Sequence, residues 1–248
     1  MSATPADWAS RQEMTHWTAT QDSLLLKEVF QSINAESCPR TYNFHMHTNC
    51  SDGKLTPSEL MAQALELGLK GIAITDHHSI RGYRGACQWM EDWRWHNPSS
   101  WGRKKQLGKV LPKLWIGVEI TSSLADTDVH ILGYAFRASD KAMTPYLKGA
   151  SPKGAERQAN RVIDAIHAAG GIAVLAHPVR YRTDETTLIQ AAAKLGIDGV
   201  ETYYAYDNPK VWRPSPGKTE RVQALAKAHN LMSSCGTDTH GKVLTKRL

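Results

Sequence analysis

The sequence carries His, Asp and Glu residues at places where an extended stretch gives way to a loop. His45 and His47 close residues 42–47 (YNFHMH), and Asp52 lies in the loop just beyond. Asp76 and His77 follow residues 71–75 (GIAIT), and Glu119 lies at the end of residues 114–120 (LWIGVEI). His130 opens residues 129–136 (VHILGYAF), and His177 follows residues 172–176 (IAVLA) and precedes Pro178. Glu201 is near the end of residues 198–203 (DGVETY), and Asp238 and His240 follow residues 231–235 (LMSSC). Imidazoles and carboxylates without Cys are a donor set for catalytic rather than structural metal sites, and suit Mn, Fe or Zn. Each feature alone is modest, since a His-x-His pair on a strand is also a common structural pair. Their force is joint. So many ionisable groups gathered at one rim without a cation cost heavily in repulsion and desolvation.

Elements that bring these residues together can be read from periodicity. Residues 21–33 have apolar positions at helical spacing, with Asp22 or Ser23 as cap. Residues 42–47 alternate, with Tyr42, Phe44 and Met46 on one face and Asn43, His45 and His47 on the other. Thr56, Pro57 and Glu59 form a helix start with a capping box, and that helix ends at Gly68. Further strands are expected at 71–75, 114–120, 129–136, 172–176, 198–203 and 231–235. Helices are expected at about 155–169, 184–195 and 217–229. Strands 114–120 and 129–136 read as a hairpin joined by the polar turn SSLADTD. A returning strand starts where its partner ended, which brings His130 beside Glu119. Repeated βα units imply a mainly parallel sheet, and seven strands suggest an α/β fold closed into a barrel, with an open doubly wound sheet as the alternative. In either, strand C-termini converge on one face and carry the site.

The 248 residues, 41% hydrophobic and 22% charged, suit one barrel-sized unit rather than a disordered chain. A formal net charge of +6 mildly favours anionic partners. Four cysteines without CxxC pairing read as reduced thiols, and no signal sequence or membrane-length apolar run is evident, so a cytoplasmic protein is expected. Residues 1–40 read as an arm plus helix, and residues 41–248 as the catalytic unit. Residues 80–113 break the βα rhythm. Trp89 and Trp93 are spaced to pack on the body. Trp95 and Trp101, with Arg94, Arg103, Lys104 and Lys105, read either as a nucleic-acid contact or as a lid or surface excursion.

The stretches FHMHTNCSDG, AITDHHS, GVEIT, VHILGY, VLAHPVRY and CGTDTHG, in that order between Tyr42 and Gly241, resemble the PHP (polymerase and histidinol phosphatase) superfamily of metal-dependent phosphoesterases. The likeness is greatest to small stand-alone members acting on nucleoside 3′,5′-bisphosphates or short oligoribonucleotides. It implies a distorted seven-stranded, TIM-like (β/α)7 barrel, here with an N-terminal helical extension, and two or three divalent ions, with Mn²⁺ first and Fe²⁺ or Zn²⁺ next. Carried over by motif, one ion takes His45, His47, Glu119 and Asp238. A second takes Glu119, His130 and His177, and a third Asp52, His77 and His240. Asp76 is then an orienter or an extra ligand. The chain departs from those relatives in the short 137–155 segment, in His78 where Asp is common, and in residues 1–40 and 80–113.

The resemblance implies hydrolysis of a phosphate monoester or diester of a nucleotide or short oligonucleotide, by in-line attack of a water bridging two cations. The expected catalytic residues are Asp76, Glu119 and Arg180. Expected substrate contacts are Arg180, whose forked donors suit phosphate, with Arg157 and Glu201. Tyr203, Tyr204 and Tyr206 line the pocket or pack outside it. His16, His96, His167 and His229 are expected to play no catalytic part. The partner is a small phosphorylated substrate, short RNA or single-stranded nucleic acid, and no membrane. Alternatives are an exonuclease on longer nucleic acid, a small-metabolite phosphatase of the histidinol-phosphate kind, and a metal-binding regulatory module without catalysis.

Overall fold

A computed structural model of the chain describes residues 23–97 and 110–248. Seven strands form one sheet in the order β1 to β7: β1 Tyr42–Asn43, β2 Gly71–Ile74, β3 Lys113–Leu124, β4 Thr127–Tyr134, β5 Ile172–Leu175, β6 Gly199–Tyr203 and β7 Met232–Cys235. All neighbours pair in parallel except β4, which runs antiparallel to both β3 and β5. Closure comes from the backbone beyond β1. The Phe44 N–H donates to the Cys235 carbonyl at 3.0 Å, Asp238 N–H to the His45 carbonyl at 2.8 Å and His47 N–H to the Thr239 carbonyl at 3.1 Å. The result is the nearly closed seven-stranded α/β barrel expected from the sequence.

Period-two alternation sorts the strand residues into two environments. Ile72 and Ile74 of β2, and Val118 and Ile120 of β3, face outward onto helices. Ala73, Trp115, Leu132, Tyr134, Ile172 and Val174 point inward. Helices α2 (Pro57–Glu66) and α3 (Arg81–His96) cover β2 and the Met46 stretch beyond β1. Helices α4 (Ala159–Ala168), α5 (Glu185–Lys194) and α6 (Pro216–Ala228) contribute to the apolar layer over β3 to β6. Helix α1 (residues 23–32) buries Leu26 and Phe30 among the inward residues. There Phe30 meets Phe44 and Tyr134 edge to face, at ring separations of 5.1 and 5.6 Å. The barrel is thus apolar where α1 packs. On the same inward faces, further toward the strand C-termini, stand Glu119, Glu201 and His177.

Several boundaries differ from the sequence reading. The alternation over 42–47 does not make a long strand. Regular pairing stops at Asn43, and Phe44 and Met46 enter different clusters, Phe44 with the inward aromatics and Met46 with Leu60 and Met61 under α2. The β3–β4 hairpin is longer than expected. Its ladder runs to Leu124 and Thr127, and only Ala125 and Asp126, both with positive φ (48° and 56°), make the turn. A two-residue turn of this hand matches the strand twist, so the polar SSLADTD stretch extends the strands instead of separating them. Residues 81–96 form the β2–β3 crossover helix, so the first half of segment 80–113 keeps the βα rhythm. Trp89 packs against α2 and β2 as expected, while Trp95 is 84% exposed. Residues 1–22 and 98–109, and with them Asp22, His16, Trp101, Arg103, Lys104 and Lys105, lie outside the described residues. The expected helix at 155–169 begins later, at Ala159, behind a 3₁₀ turn Gly154–Arg157. Among the described residues no helix is long and apolar enough to cross a membrane, and all four cysteines are free.

The capping box of α2 is as read. Glu59 N–H donates to Thr56 Oγ1 and Thr56 N–H to Glu59 Oε2. Asp198, just before β6, joins three elements. It accepts from His167 Nε2 of α4 at 2.7 Å and from the Ala173 N–H of β5 at 2.9 Å, and lies 3.7 Å from Lys27 of α1. That hydrogen bond raises the His167 pKa above its ordinary 6.5, against the effect of burial. The raised value fixes the sign: the pair stabilises below the unfolded value and loses this as pH rises through the folded one. With His167 over a third exposed, the contribution is ~0.5 kcal/mol. Urea unfolding of His167→Ala should therefore show the larger loss near pH ~5.5 and little loss near pH ~9. Equal loss at both would refute the charged pair.

Candidate metal centre

Strand ends and the β3–β4 hairpin deliver the ionisable residues to one point. Glu119 is its hub. It is 1% exposed and its two oxygens face different groups. Oε2 lies 3.1 Å from His45 Nε2 and 3.0 Å from His47 Nε2. Oε1 lies 2.8 Å from His130 Nδ1 and 3.3 Å from His177 Nε2. His130 pairs in register with Thr121, two residues beyond Glu119 on the same face, so the hairpin brings the two together as expected. Asp238 Oδ1 completes the first group, 3.4 Å from both His45 Nε2 and His47 Nε2. Asp52, His77 and His240 close the outer side, with His240 Nε2 3.2 Å and His77 Nε2 3.6 Å from Asp52 Oδ2.

Three sets of donor atoms are compact enough to hold an ion: His45, His47, Glu119 and Asp238; His77, Glu119 and His130; and His47, Asp52, His77 and His240. The first matches the expected set. The third adds His47 to the expected one. In the second, His77 stands where His177 was expected, and His177 lies just beside Glu119. Since one neutral imidazole offers one lone pair, His47 and His77 each serve one ion at a time, whereas the Glu119 carboxylate can bridge two. Exposure grades across the site. His45 and His47 are fully buried, His77 is 24% and Asp52 52% exposed, so the site opens on the Asp52 side.

Buried polar atoms normally find partners. Here both ring nitrogens of His47, Nδ1 of His130 and Nδ1 of His177 are buried without a hydrogen bond of good geometry. A buried imidazole with no bonded partner, facing carboxylate oxygens, fits a cation between them. Charges in the cation-free site respond in kind. Burial alone would lower the His45 pKa, but Glu201, Glu119 and Asp238 hold it well above the ordinary value. Burial likewise opposes a charge on His47, yet the nearby Asp238 and Glu119 carboxylates raise its pKa to about 9. Burial would raise Glu119 and Asp238, but the imidazoles, His45 foremost, keep both well below the carboxylate range. Burial lowers His77 and His177, and the neighbouring carboxylates do not offset it.

Behind the ligand-type residues stands a layer that orients them. Glu201 is fully buried, with its oxygens 3.0 and 3.1 Å from His45 Nδ1, and it accepts the His177 N–H at 2.9 Å. With Nδ1–H directed at Glu201, His45 presents Nε2 to the Glu119–Asp238 side. Glu201 has no exposed surface to offer, so the substrate contact expected of it is replaced by this bracing role. Asp76 is also wholly buried. It accepts from Thr48 N–H, Thr48 Oγ1 and Ser51 Oγ, each at 2.7 Å, and so fixes the loop that carries Asp52. Of the two alternatives for Asp76, the geometry fits the orienter, since it stands outside the three donor sets. Gly82 is required for this. A Cβ there would lie 1.9 Å from Asp76 Oδ2. His240 Nδ1 donates to the Asp238 carbonyl at 2.8 Å, which leaves Nε2 for Asp52.

Asp238 Oδ2 accepts three donors: Tyr204 O–H at 2.6 Å, Arg180 Nη1 at 2.9 Å and Arg247 Nε at 2.9 Å. Burial and Asp238 push the Tyr204 pKa far up, so its proton stays on to donate. Both Asp238 (φ 52°) and His177 (φ 28°) adopt positive φ, a backbone cost of about 1–3 kcal/mol each. Arg180 is at the site as expected, 37% exposed and also 3.2 Å from Tyr204 Oη. Arg157 pairs with Asp128 at 2.6 Å, two residues before His130 on β4, and its charge reaches His78. Tyr203 packs among the inward residues, and Tyr206 lies against Tyr204 as a tilted pair with ring centroids 4.8 Å apart. Arg247, and Tyr181 whose hydroxyl accepts the His130 N–H at 2.8 Å, escaped the sequence reading. Tyr181 closes the VLAHPVRY stretch without being a ligand-type residue, and Arg247 reads as terminal charge.

A family profile described as "PHP domain" matches residues 43–238. The chain belongs to the PHP domain family. This PHP chain is 24% identical over 270 aligned residues to the 5′-3′ exoribonuclease Rnm of Salmonella typhimurium, covering 80% of this chain and 85% of that protein. Its fold is similar to a Bifidobacterium adolescentis protein assigned as a metal-dependent phosphoesterase, at a TM-score of 0.61 and 23% identity, covering 84% of this chain and 93% of the other. It is also similar to an amidohydrolase from Chromobacterium violaceum solved with bound sulfate and no metal, at a TM-score of 0.62 and 19% identity, over 83% and 90% of the two chains.

If Glu201 orients His45 as the geometry requires, Glu201→Gln should weaken Mn²⁺ binding about 10–100-fold in calorimetry while far-UV circular dichroism is unchanged. Unaltered affinity would show that the orientation of His45 does not depend on that carboxylate.

Proposed function

We propose that this PHP protein is a metal-dependent phosphoesterase acting on a nucleotide or a short oligoribonucleotide. The observation that carries the reading is Glu119, buried with one oxygen toward His45 and His47 and the other toward His130 and His177, beside buried ring nitrogens of His47, His130 and His177 that have no hydrogen-bond partner. The first ion is assigned to His45, His47, Glu119 and Asp238. A second is assigned to Glu119 and His130 with His77 or His177, and a third to Asp52 and His240 with His47 or His77. Divalent ions held there supply positive charge for phosphoryl oxygens and acidify water near pH 7. The exoribonuclease relative favours RNA or its fragments as the substrate class.

The protein's own groups divide the remaining work. Glu119 and Asp238 keep their charge at all ordinary pH values, because the surrounding imidazoles hold their pKa values down. Glu201, the Asp238 carbonyl and Asp76 fix the orientation of His45, His240 and the Asp52 loop. The partly exposed Asp52 side provides the entry. Arg180 has one nitrogen committed to Asp238 and Tyr204, and the rest of its fork is left to grip a phosphate at the rim.

The primary test is phosphate release from adenosine 3′,5′-bisphosphate and from a short RNA, with and without Mn²⁺, beside His45→Ala. Release that requires both metal and His45 is expected, and the ratio of the two substrates selects nucleotide or oligonucleotide. Metal-bound protein that cleaves neither, nor any other phosphoester offered, would overturn the proposal. Arg180→Ala should lower kcat/KM about a hundredfold. It should leave Mn²⁺ content unchanged, because Tyr204 and Arg247 still hold Asp238. Wild-type kinetics in that variant would remove Arg180 from substrate binding.

A further inference from the structure

Beside the metal centre a cavity of about 280 Å³ opens between the β6–α6 loop and the C-terminal segment. Asn208, Lys210 and Trp212 line it from the loop, and Lys246 and Arg247 from the other side. Arg247 spans the wall between the two, lining the cavity while its Nε donates to Asp238 Oδ2. Among the described residues neither Lys210 nor Lys246 is paired with a carboxylate. The nearest acid in sequence, Asp207, is engaged by Lys218. Trp212 is only 9% exposed, and its indole N–H is buried without an acceptor.

Lys210 and Lys246 bring two unpaired ammonium groups to one cavity from two separate segments, with the Asp238-paired Arg247 between cavity and site, and a concave wall concentrates their field. One anion there meets several donors at once. The shared wall through Arg247 puts that anion one side chain from the candidate metal ligands.

We propose that this cavity binds an oxyanion of the substrate other than the one hydrolysed, namely a second phosphate group of the same nucleotide or strand. That the anion belongs to the substrate rests on the phosphoesterase reading above. The affinity of the cavity for phosphate does not. The group bound is either a terminal phosphate monoester or the next phosphodiester. Both present the same oxygens to Lys210 and Lys246.

The test uses the full chain and the double variant Lys210→Glu/Lys246→Glu. Adenosine 3′,5′-bisphosphate is first titrated calorimetrically into EDTA-stripped protein, whose fold is checked by circular dichroism. Binding that weakens at least about tenfold in the variant, and weakens with added salt, is expected. Equal affinity in the two proteins would overturn the proposal. Steady-state kinetics with Mn²⁺ then compare adenosine 3′,5′-bisphosphate, a 5′-phosphorylated RNA dinucleotide and singly phosphorylated AMP. A KM rise in the variant for the bisphosphate but not AMP assigns the cavity to a terminal phosphate, and a rise for the dinucleotide extends it to the diester. The same KM change for all three, AMP included, would also overturn it. Loss of binding in the variant together with no turnover of any phosphoester would defeat the proposed function and leave the cavity as an anion site.

Discussion

The protein has to keep Glu119 and Asp238 charged inside a barrel. Each buried carboxylate carries a desolvation penalty of several kcal/mol unless opposite charge and hydrogen bonds surround it. The structure meets this by placing imidazoles on every neighbouring strand end. The carboxylates raise the pKa values of His45 and His47, whose protons then balance the acids. A divalent ion occupying the same space does so with two charges and no steric demand beyond the donor atoms. The protons and the ions therefore compete for one position.

Much of the remaining architecture follows from that constraint. The barrel interior is divided along its axis, with Phe30, Phe44, Trp115 and Tyr134 packed at one end and the ionisable residues at the other. A polar group among the aromatics would have no partner, and an apolar one among the imidazoles would break their mutual support. The antiparallel β4 is the exception to the parallel sheet, and it has a consequence. A strand entering from the C-terminal rim delivers His130 where no parallel strand could begin.

A second layer converts ligand-type residues into a rigid set. Glu201, Asp76 and Arg247 are held by strands, by the α3 start at Gly82 and by the C-terminal segment respectively. Precision is needed because the donor positions differ by only tenths of an ångström. Loops alone do not supply it. The positive φ angles at His177 and Asp238 point the same way: both turns are kept in an unfavourable conformation by backbone hydrogen bonds to Glu201 and to His45.

The ligand-type residues, their placement at strand ends and the closeness of His130 to Glu119 were legible in the chain, because period and capping are local properties. So was the α/β barrel, from the recurrence of βα units. Local pattern misled where tertiary pairing decided the outcome. Ser122 and Ser123 joined the β3 ladder because β4 offered it partners, and Phe44 and Met46 parted because two different clusters received them. Side-chain direction was equally out of reach. Nothing in the sequence distinguishes Glu201, turned inward behind His45, from an acid facing substrate, or Asp76 under its loop from a ligand. Arg247 was invisible because its partner Asp238 is close only after the chain folds back. The sequence by itself determined which ionisable groups gather and which end of the barrel they share. Only the tertiary structure decided which of them lie close enough together to hold an ion and which brace the others, because that depends on distances between residues far apart in the chain.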